Sequence, residues 1–175
     1  MTTDHNETPH IDGSILDPAQ LADRAAIHDL AVAYAYAVDT RDWPRYEALF
    51  IATAHIDYTA AGGIAGTPAE VTAWMPQALS AFAFTMHTVS THEIEFTDLD
   101  TAKGRAHVFN RNGVMNDGRA EICDVSTIYE DEYVRVGNTW KFSRRAERDA
   151  CITGGAFAAM VREFAATQTD PPPFG

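Results

Sequence analysis

Two dipeptides, Asp117-Gly118 and Gly137-Asn138, constrain this chain more than any other feature. Each separates long runs rich in β-branched and aromatic residues. Each is also a two-residue hairpin signal, and Asp-Gly especially favours a type I′ turn. Loops this short fix the register, and register decides which side chains share a face. The runs over 104–115, 119–136 and 139–152 are therefore expected to form a three-stranded antiparallel meander. In it Asn110 lies opposite Val125, Val108 opposite Thr127, Tyr129 opposite Ala146 and Thr127 opposite Arg148.

On that register one face carries Ala106, Val108, Asn110, Asn112, Val114, Cys123, Val125, Thr127, Tyr129, Trp140, Phe142, Ala146, Arg148, Ala150 and Ile152. Polar groups on so apolar a face need partners from one another, from water or from a ligand. Asn110, Asn112, Thr127, Tyr129 and Arg148 are those groups, and a buried Arg148 in particular wants a carboxylate. The opposite face of the last strand reads Lys141, Ser143, Arg145, Glu147 and Asp149, which belongs in water. Cys123 and Cys151 fall on opposite faces and form no Cys-x-x-Cys motif, so free thiols are expected.

The part of the chain before the meander is helical. Residues 1–16 are polar and aperiodic, as expected of a flexible arm. Asp17-Pro18-Ala19-Gln20 opens a helix with a capping box, and Leu21, Ala25, Ile27, Leu30, Tyr34 and Val38 form its apolar stripe. Asp42-Trp43-Pro44 restarts a shorter helix through Phe50. A short strand over 55–59 follows, then a Gly62-Gly63 turn. Thr67-Pro68-Ala69-Glu70 caps a third helix with Val71, Trp74, Met75 and Leu79 on its buried side. In the strand over 86–97, alternation puts His87 with Val89 but Ile94 and Phe96 on the other face, unless a bulge intervenes. Beyond Gly154-Gly155, residues 157–164 carry a helical stripe, and 167–175 are a proline-rich tail. One domain over 17–166 results.

Asp39 ends the first helix, where the partial negative charge of the terminus disfavours a carboxylate that has no partner. Beside a histidine it would serve as a general base or orient one; Arg148 is the rival partner. The formal net charge of −12 argues against nucleic acid and anionic membranes, which attract basic surfaces. No run approaches the ~20 apolar residues of a membrane span, and the start lacks signal-peptide features, so a cytoplasmic protein is expected. His92-Glu93 is not followed by a second histidine at metalloprotease spacing, and no phosphate loop or dinucleotide fingerprint occurs. No metal is expected. His28 and His107 read as surface positions.

Helices followed by a curved antiparallel sheet resemble the nuclear transport factor 2-like, or SnoaL-like, cone. The resemblance spans roughly residues 18–155. It is carried by 23–30, by Tyr34 with 39–43, by 56–58, by Thr85-Met86-His87 and by Tyr133 through Phe142. It implies an α+β class, a cone-shaped curved antiparallel sheet wrapped around N-terminal helices (a cystatin-like α+β barrel). The pattern is most similar to the branch containing scytalone dehydratase, bile-acid 7α-dehydratase and hexachlorocyclohexane dehydrochlorinase. That branch implies a lyase without cofactor, in which Asp39 and His87 form the base dyad. Tyr34, Tyr58 and Arg148 complete the implied catalytic set. Asn110, Asn112, Thr127, Tyr129 and Trp74 are the expected substrate-binding side chains. Asn112 stands where scytalone dehydratase has a second histidine, and Asn110 where the bile-acid enzyme has an aspartate, so neither substrate carries over.

The expected activity is dehydratase-type elimination on a small hydrophobic cyclic or polycyclic hydroxy compound. The expected assembly is a homo-oligomer, with the resemblance favouring a trimer over a dimer. An isomerase or cyclase of the same fold, a non-catalytic small-molecule binder, and an assembly protein similar to a dioxygenase β-subunit are the alternatives, because one fold hosts many functions.

Overall fold

The computed structural model of the protein describes residues 18–116 and 118–154. The expected arm, the Asp17 cap, Asp117, the stripe over 157–164 and the tail lie outside the described residues. The class is α+β, as expected. Helix α1 (Pro18–Asp39) and α2 (Trp43–Ala48) lead into strand β1 (Phe50–Asp57) and a 3₁₀ turn at Thr59–Ala61. β2 (Ala65–Gly66) and α3 (Pro68–Ala78) follow, then β3 (Phe82–Asp98), β4 (Thr101–Asn116), β5 (Arg119–Val136) and β6 (Thr139–Thr153). The six strands form one open sheet in the order β2-β1-β6-β5-β4-β3, with β1 and β6 parallel and the other neighbours antiparallel.

Local chemistry places most of the ends. Thr67 and Glu70 form the expected capping box on α3, and the Asp42 side chain caps α2. The sequence predicts helix through Phe50. Instead the chain leaves α2 at Leu49, whose carbonyl accepts the Phe142 N–H at 3.0 Å, and Phe50 opens β1 alongside β6. On α1 the inner stripe is Ile27, Leu30, Tyr34 and Val38, as expected, whereas Leu21 is exposed. Asp23 ties the start of this helix to the sheet, accepting from Arg135 at 2.7 and 2.6 Å and from the Trp140 indole at 2.9 Å.

The turn at Gly118 produces the β4–β5 register expected from sequence, Asn110 opposite Val125 and Val108 opposite Thr127; the glycine has φ 77°. β3 carries a bulge that reconciles the two faces of its sequence pattern. The shift lies between Val89 and His92, so His87 and Ile94 both turn to the inner side.

β6 departs from the expected register. It starts as predicted, with Tyr133 opposite Phe142, but Ser143 is then looped out and Glu132 pairs with Arg144. Tyr129 therefore lies opposite Glu147 rather than Ala146, and Arg148 opposite Ile128 rather than Thr127. A second slip at Asp149, which takes φ 53°, turns Ile152 inward again. Between the two bulges every side chain of β6 changes face. Arg145 and Glu147, expected in water, are buried, while Arg148 faces outward.

Candidate active site

α1 and α3 cover the inner side of the sheet and enclose with it a cavity of about 440 Å³. α1 contributes Tyr34 and Val38, the segment after β1 contributes Tyr58 and Gly62-Gly63, and α3 contributes Trp74 and Met75. The sheet supplies its rows: His87, Asn110, Val125 and Ile152 run across four strands, Thr85 and Asn112 lie in the next row, and Tyr129 and Glu147 pair farther along.

Asp39 reaches this wall because α1 ends there. The chain turns sharply at Arg41, φ 58°, and the Arg41 guanidinium donates to the Val38 carbonyl at 3.1 Å and to the Thr85 hydroxyl at 2.9 Å. This cation caps the negative helix end and pins it to β3. The Asp39 carboxylate accepts the His87 backbone N–H at 2.9 Å, and its other oxygen lies 2.6 Å from His87 Nδ1. Burial raises the Asp39 pKa, but the hydrogen bonds and charge of His87, with a contribution from Thr85, hold it below the ordinary carboxylate value. An ionised carboxylate only accepts, so Nδ1 carries a proton, and in the neutral ring Nε2 is the nitrogen with the lone pair. The two side chains are 18% and 8% exposed, and the histidine lines the cavity.

Tyrosines form the second wall. The Tyr58 hydroxyl lies 2.8 Å from that of Tyr34 and 2.9 Å from that of Tyr46. Tyr129 continues the cluster, packed edge-on to Tyr34 with 5.7 Å between ring centroids. Burial pushes all four hydroxyls upward, so they remain protonated donors. Behind them the Arg145 guanidinium lies 4.0 Å from the Tyr34 ring centroid, 4.3 Å from Tyr129 and 4.1 Å from Phe142. It also donates twice to Asp131, at 2.8 and 2.7 Å.

Of the residues singled out from sequence, Asp39, His87, Tyr34, Tyr58, Asn110, Asn112, Tyr129 and Trp74 surround this space. Asn112 Nδ2 is held by the Cys123 carbonyl at 3.2 Å. Thr127 is buried but lies outside the lining, and its hydroxyl donates to the Arg148 carbonyl at 2.9 Å. Arg148 is absent from the cavity: it pairs with Asp57 at 3.7 Å and Glu130 at 3.2 Å on the outer side. The question of which group holds Asp39 is thus answered by His87. The slip at Ser143 explains the displacement of Arg148.

Glu147, which sequence reasoning placed in water, lines the cavity at 7% exposure, and its Oε2 has no partner. Burial pushes its carboxyl up to about 8, against the opposing hydrogen bond from Tyr129 and the charge of Arg145, while Asp57 adds to the rise. Asn110 Oδ1 on the same wall is likewise buried and unpartnered. His92 is half-buried. Its Nε2 lies 3.1 Å from the Tyr133 hydroxyl, which donates to Asp131, and its Nδ1 lies 3.2 Å from His28. Burial brings its pKa down to about 4 despite Asp131. Among the described residues, no three His, Cys, Asp or Glu side chains gather to hold a metal ion, and no helix is long and apolar enough to cross a membrane. Among the described residues, Cys123 and Cys151 form no disulfide.

A family model described as the SnoaL-like domain matches residues 19–146. An uncharacterized protein of Mycobacterium tuberculosis (strain ATCC 25618 / H37Rv) is 33% identical over 137 residues, which covers 78% of this chain and 92% of that protein. Among solved structures, a scytalone dehydratase-like protein from Novosphingobium aromaticivorans has a TM-score of 0.68 at 24% identity, covering 77% of this chain and 89% of its own. The hexachlorocyclohexane dehydrochlorinase LinA-type3 from Novosphingobium barchaimii has a TM-score of 0.69 at 24% identity, covering 81% and 95%. At this identity the structural likeness establishes a common fold.

Proposed function

This chain belongs to the SnoaL-like domain family, and on that premise we propose that it is a cofactor-independent lyase acting by elimination on a small, largely apolar cyclic hydroxy compound. The observation that carries the reading is the 2.6 Å contact of His87 Nδ1 with Asp39 on the wall of a 440 Å³ cavity. A histidine whose Nδ1–H is tied to an ionised carboxylate presents Nε2 as a base in one tautomer, and the carboxylate stabilises the imidazolium that forms. Tyr34 and Tyr58 offer hydroxyls to an oxygen that gains negative charge, and the apolar walls strengthen that interaction by excluding water. The structural relatives support a small-molecule lyase or isomerase type of chemistry, since one is dehydratase-like and another is a dehydrochlorinase.

The test is a panel of mono- and bicyclic β-hydroxyketones, followed by the ultraviolet absorbance of the enone formed. The wild-type protein converts at least one, and His87→Gln lowers kcat by about 10²–10⁴-fold, the range for loss of a general base. Undiminished turnover by His87→Gln would remove the dyad from the mechanism. The same reading includes a homo-oligomer, which light scattering of the purified protein tests; a monomer at working concentration contradicts it.

A further inference from the structure

We propose that Glu147 is a second catalytic residue of this cavity, the acid that delivers a proton to an oxygen of the substrate while His87 removes one from carbon. The inference rests on the dyad reading and adds a proton donor for the departing group.

Placement carries the argument. Glu147 lies between the two slips of β6, at Ser143 and Asp149, and it points inward only because of the first. It lines the same cavity as His87, it is 7% exposed, and Oε2 meets no donor or acceptor. The groups facing it come from several elements: Tyr34 from α1, Tyr46 from α2, Asp57 from β1, Tyr129 from β5 and Arg145 from β6. Tyr129 gives it one hydrogen bond, and Arg145 offsets a charge on it only in part. Arg145 is engaged by both oxygens of Asp131, and Asp57 is itself negative and sits against Arg148. An unpaired carboxylate in such a place is costly, whereas a neutral carboxylic acid needs only an acceptor for its O–H. Burial acts in that direction, pushing the carboxyl up to about 8, so at neutral pH the group is a donor. The oxygen that meets no partner belongs to a side chain of the cavity wall.

The same walls restrict the ligand. Among the described residues, no lysine or arginine lines the cavity, so these walls offer an anionic substrate no lysine or arginine counter-charge. Asn110 lies directly opposite His87 across β3 and β4, and its unpartnered Oδ1 asks for a hydroxyl. The substrate that fits is uncharged and oxygenated, with a C–H at His87, an O–H at Asn110 and a departing oxygen at Glu147. In the step, His87 Nε2 takes the proton from carbon and the C–H electron pair becomes the new C=C bond. The adjacent C–O bond breaks, and the hydroxyl leaves as water with the Glu147 proton. Transfer of the imidazolium proton back to Glu147 through that water restores both groups.

Two measurements test this. Protein labelled with 13C at the glutamate carboxyl carbons is titrated from about pH 5 to 10, and the Glu147 resonance is assigned by its absence in Glu147→Gln. A carboxyl that is still protonated at pH 7, and that shifts when 1-tetralone is added, is expected; one ionised at pH 7 with an ordinary titration overturns the inference. Should Glu147→Gln not fold, the carbonyl stretch of 1-tetralone bound to the wild-type protein answers instead. It is lowered at pH 7 and returns toward the free value at about pH 9 as the donor ionises, and its pH-independence overturns the inference. In turnover of a β-hydroxyketone, Glu147→Gln loses about 10²-fold in kcat with KM little changed. A Glu147→Gln enzyme as fast as wild type overturns the assignment while the dyad stands. A His87→Gln enzyme as fast as wild type, with Glu147→Gln impaired, removes the dyad and keeps the acid.

Discussion

Arg145 and Glu147 are two residues apart on one strand, on the same face, and both buried, yet they belong to opposite kinds of polar site. Around Arg145 the groups answer one another: Asp131 takes two of its hydrogen bonds, Tyr133 donates to the same carboxylate, and His92 reaches Tyr133. Only its Nη1 lacks an acceptor, and the guanidinium is held against three aromatic rings. Around the cavity, by contrast, Glu147 Oε2 and Asn110 Oδ1 are left with hydrogen-bonding capacity. Buried polarity alone therefore does not mark a functional site. What marks it here is unused capacity gathered on residues that line one cavity, since a buried polar atom without a partner demands an explanation.

Perturbing the two clusters should separate function from stability. The largest effect is expected from Asp39→Asn, which keeps the shape but removes the anion that fixes the histidine tautomer. Turnover falls by about 10²–10⁴-fold while the urea midpoint changes little. A variant with wild-type kcat would place Asp39 among the structural groups. Next comes Arg145→Met, which strands Asp131 and costs about 3–5 kcal/mol of unfolding free energy. The double substitution Arg145→Met with Asp131→Leu recovers most of that loss if the pair is structural. A double variant no more stable than the single one would mean that Arg145 matters for something other than its partner.

A third, smaller difference is in pH. His92 has a folded pKa of about 4, depressed below its unfolded value near 6.5. The unfolded chain thus binds a proton that the folded chain refuses, and stability is lost as pH falls from about 6.5 to 4, by about 3 kcal/mol at most. Glu147 runs the other way. Its folded pKa is raised to about 8, so stability declines as pH rises from the ordinary carboxylate range toward that value. Urea unfolding of His92→Gln should remove the loss of stability between about pH 6.5 and 4, and of Glu147→Gln the decline between about pH 4.5 and 8. Identical profiles for both variants would show that neither group titrates as described.

Much of this was legible in the sequence, and the failure was local. The Asp-Gly turn fixed the β4–β5 register, and hence the neighbourhood of Asn110 and Asn112. The alternation that separated His87 from Ile94 left a bulge in β3 as an open condition, and the structure has one. β6 offered no such signal. With the expected register, Asp131 would face Arg144 and Glu130 would face Arg145. With the observed one, Asp131 faces Arg145 and Glu132 faces Arg144. Both arrangements put opposite charges across the strands, so cross-strand pairing could not choose between them. Side-chain volume did not help either, because Ala146 packs on either face without a clash that the sequence could reveal. Trp140 and Phe142 read correctly since they precede the slip. Arg148 and Glu147 exchanged faces since they follow it.

That exchange supplies the smallest and most pointed prediction. Arg148→Ala removes the only strong cation that the original register would have put inside, so the two registers foresee opposite outcomes. Had Arg148 been buried against Asp39, its loss would leave an uncompensated carboxylate and cost several kcal/mol together with activity. Where it stands, its side chain is 39% exposed and pairs at 3.7 and 3.2 Å with Asp57 and Glu130, themselves partly in solvent. Exposed pairs of this kind contribute about 0–1 kcal/mol and are screened by salt. Arg148→Ala should therefore unfold within about 1 kcal/mol of wild type, turn over at a similar rate, and lose even that difference in high salt. A large loss of turnover in Arg148→Ala, with folding intact, would return this arginine to the cavity and displace Glu147 from it.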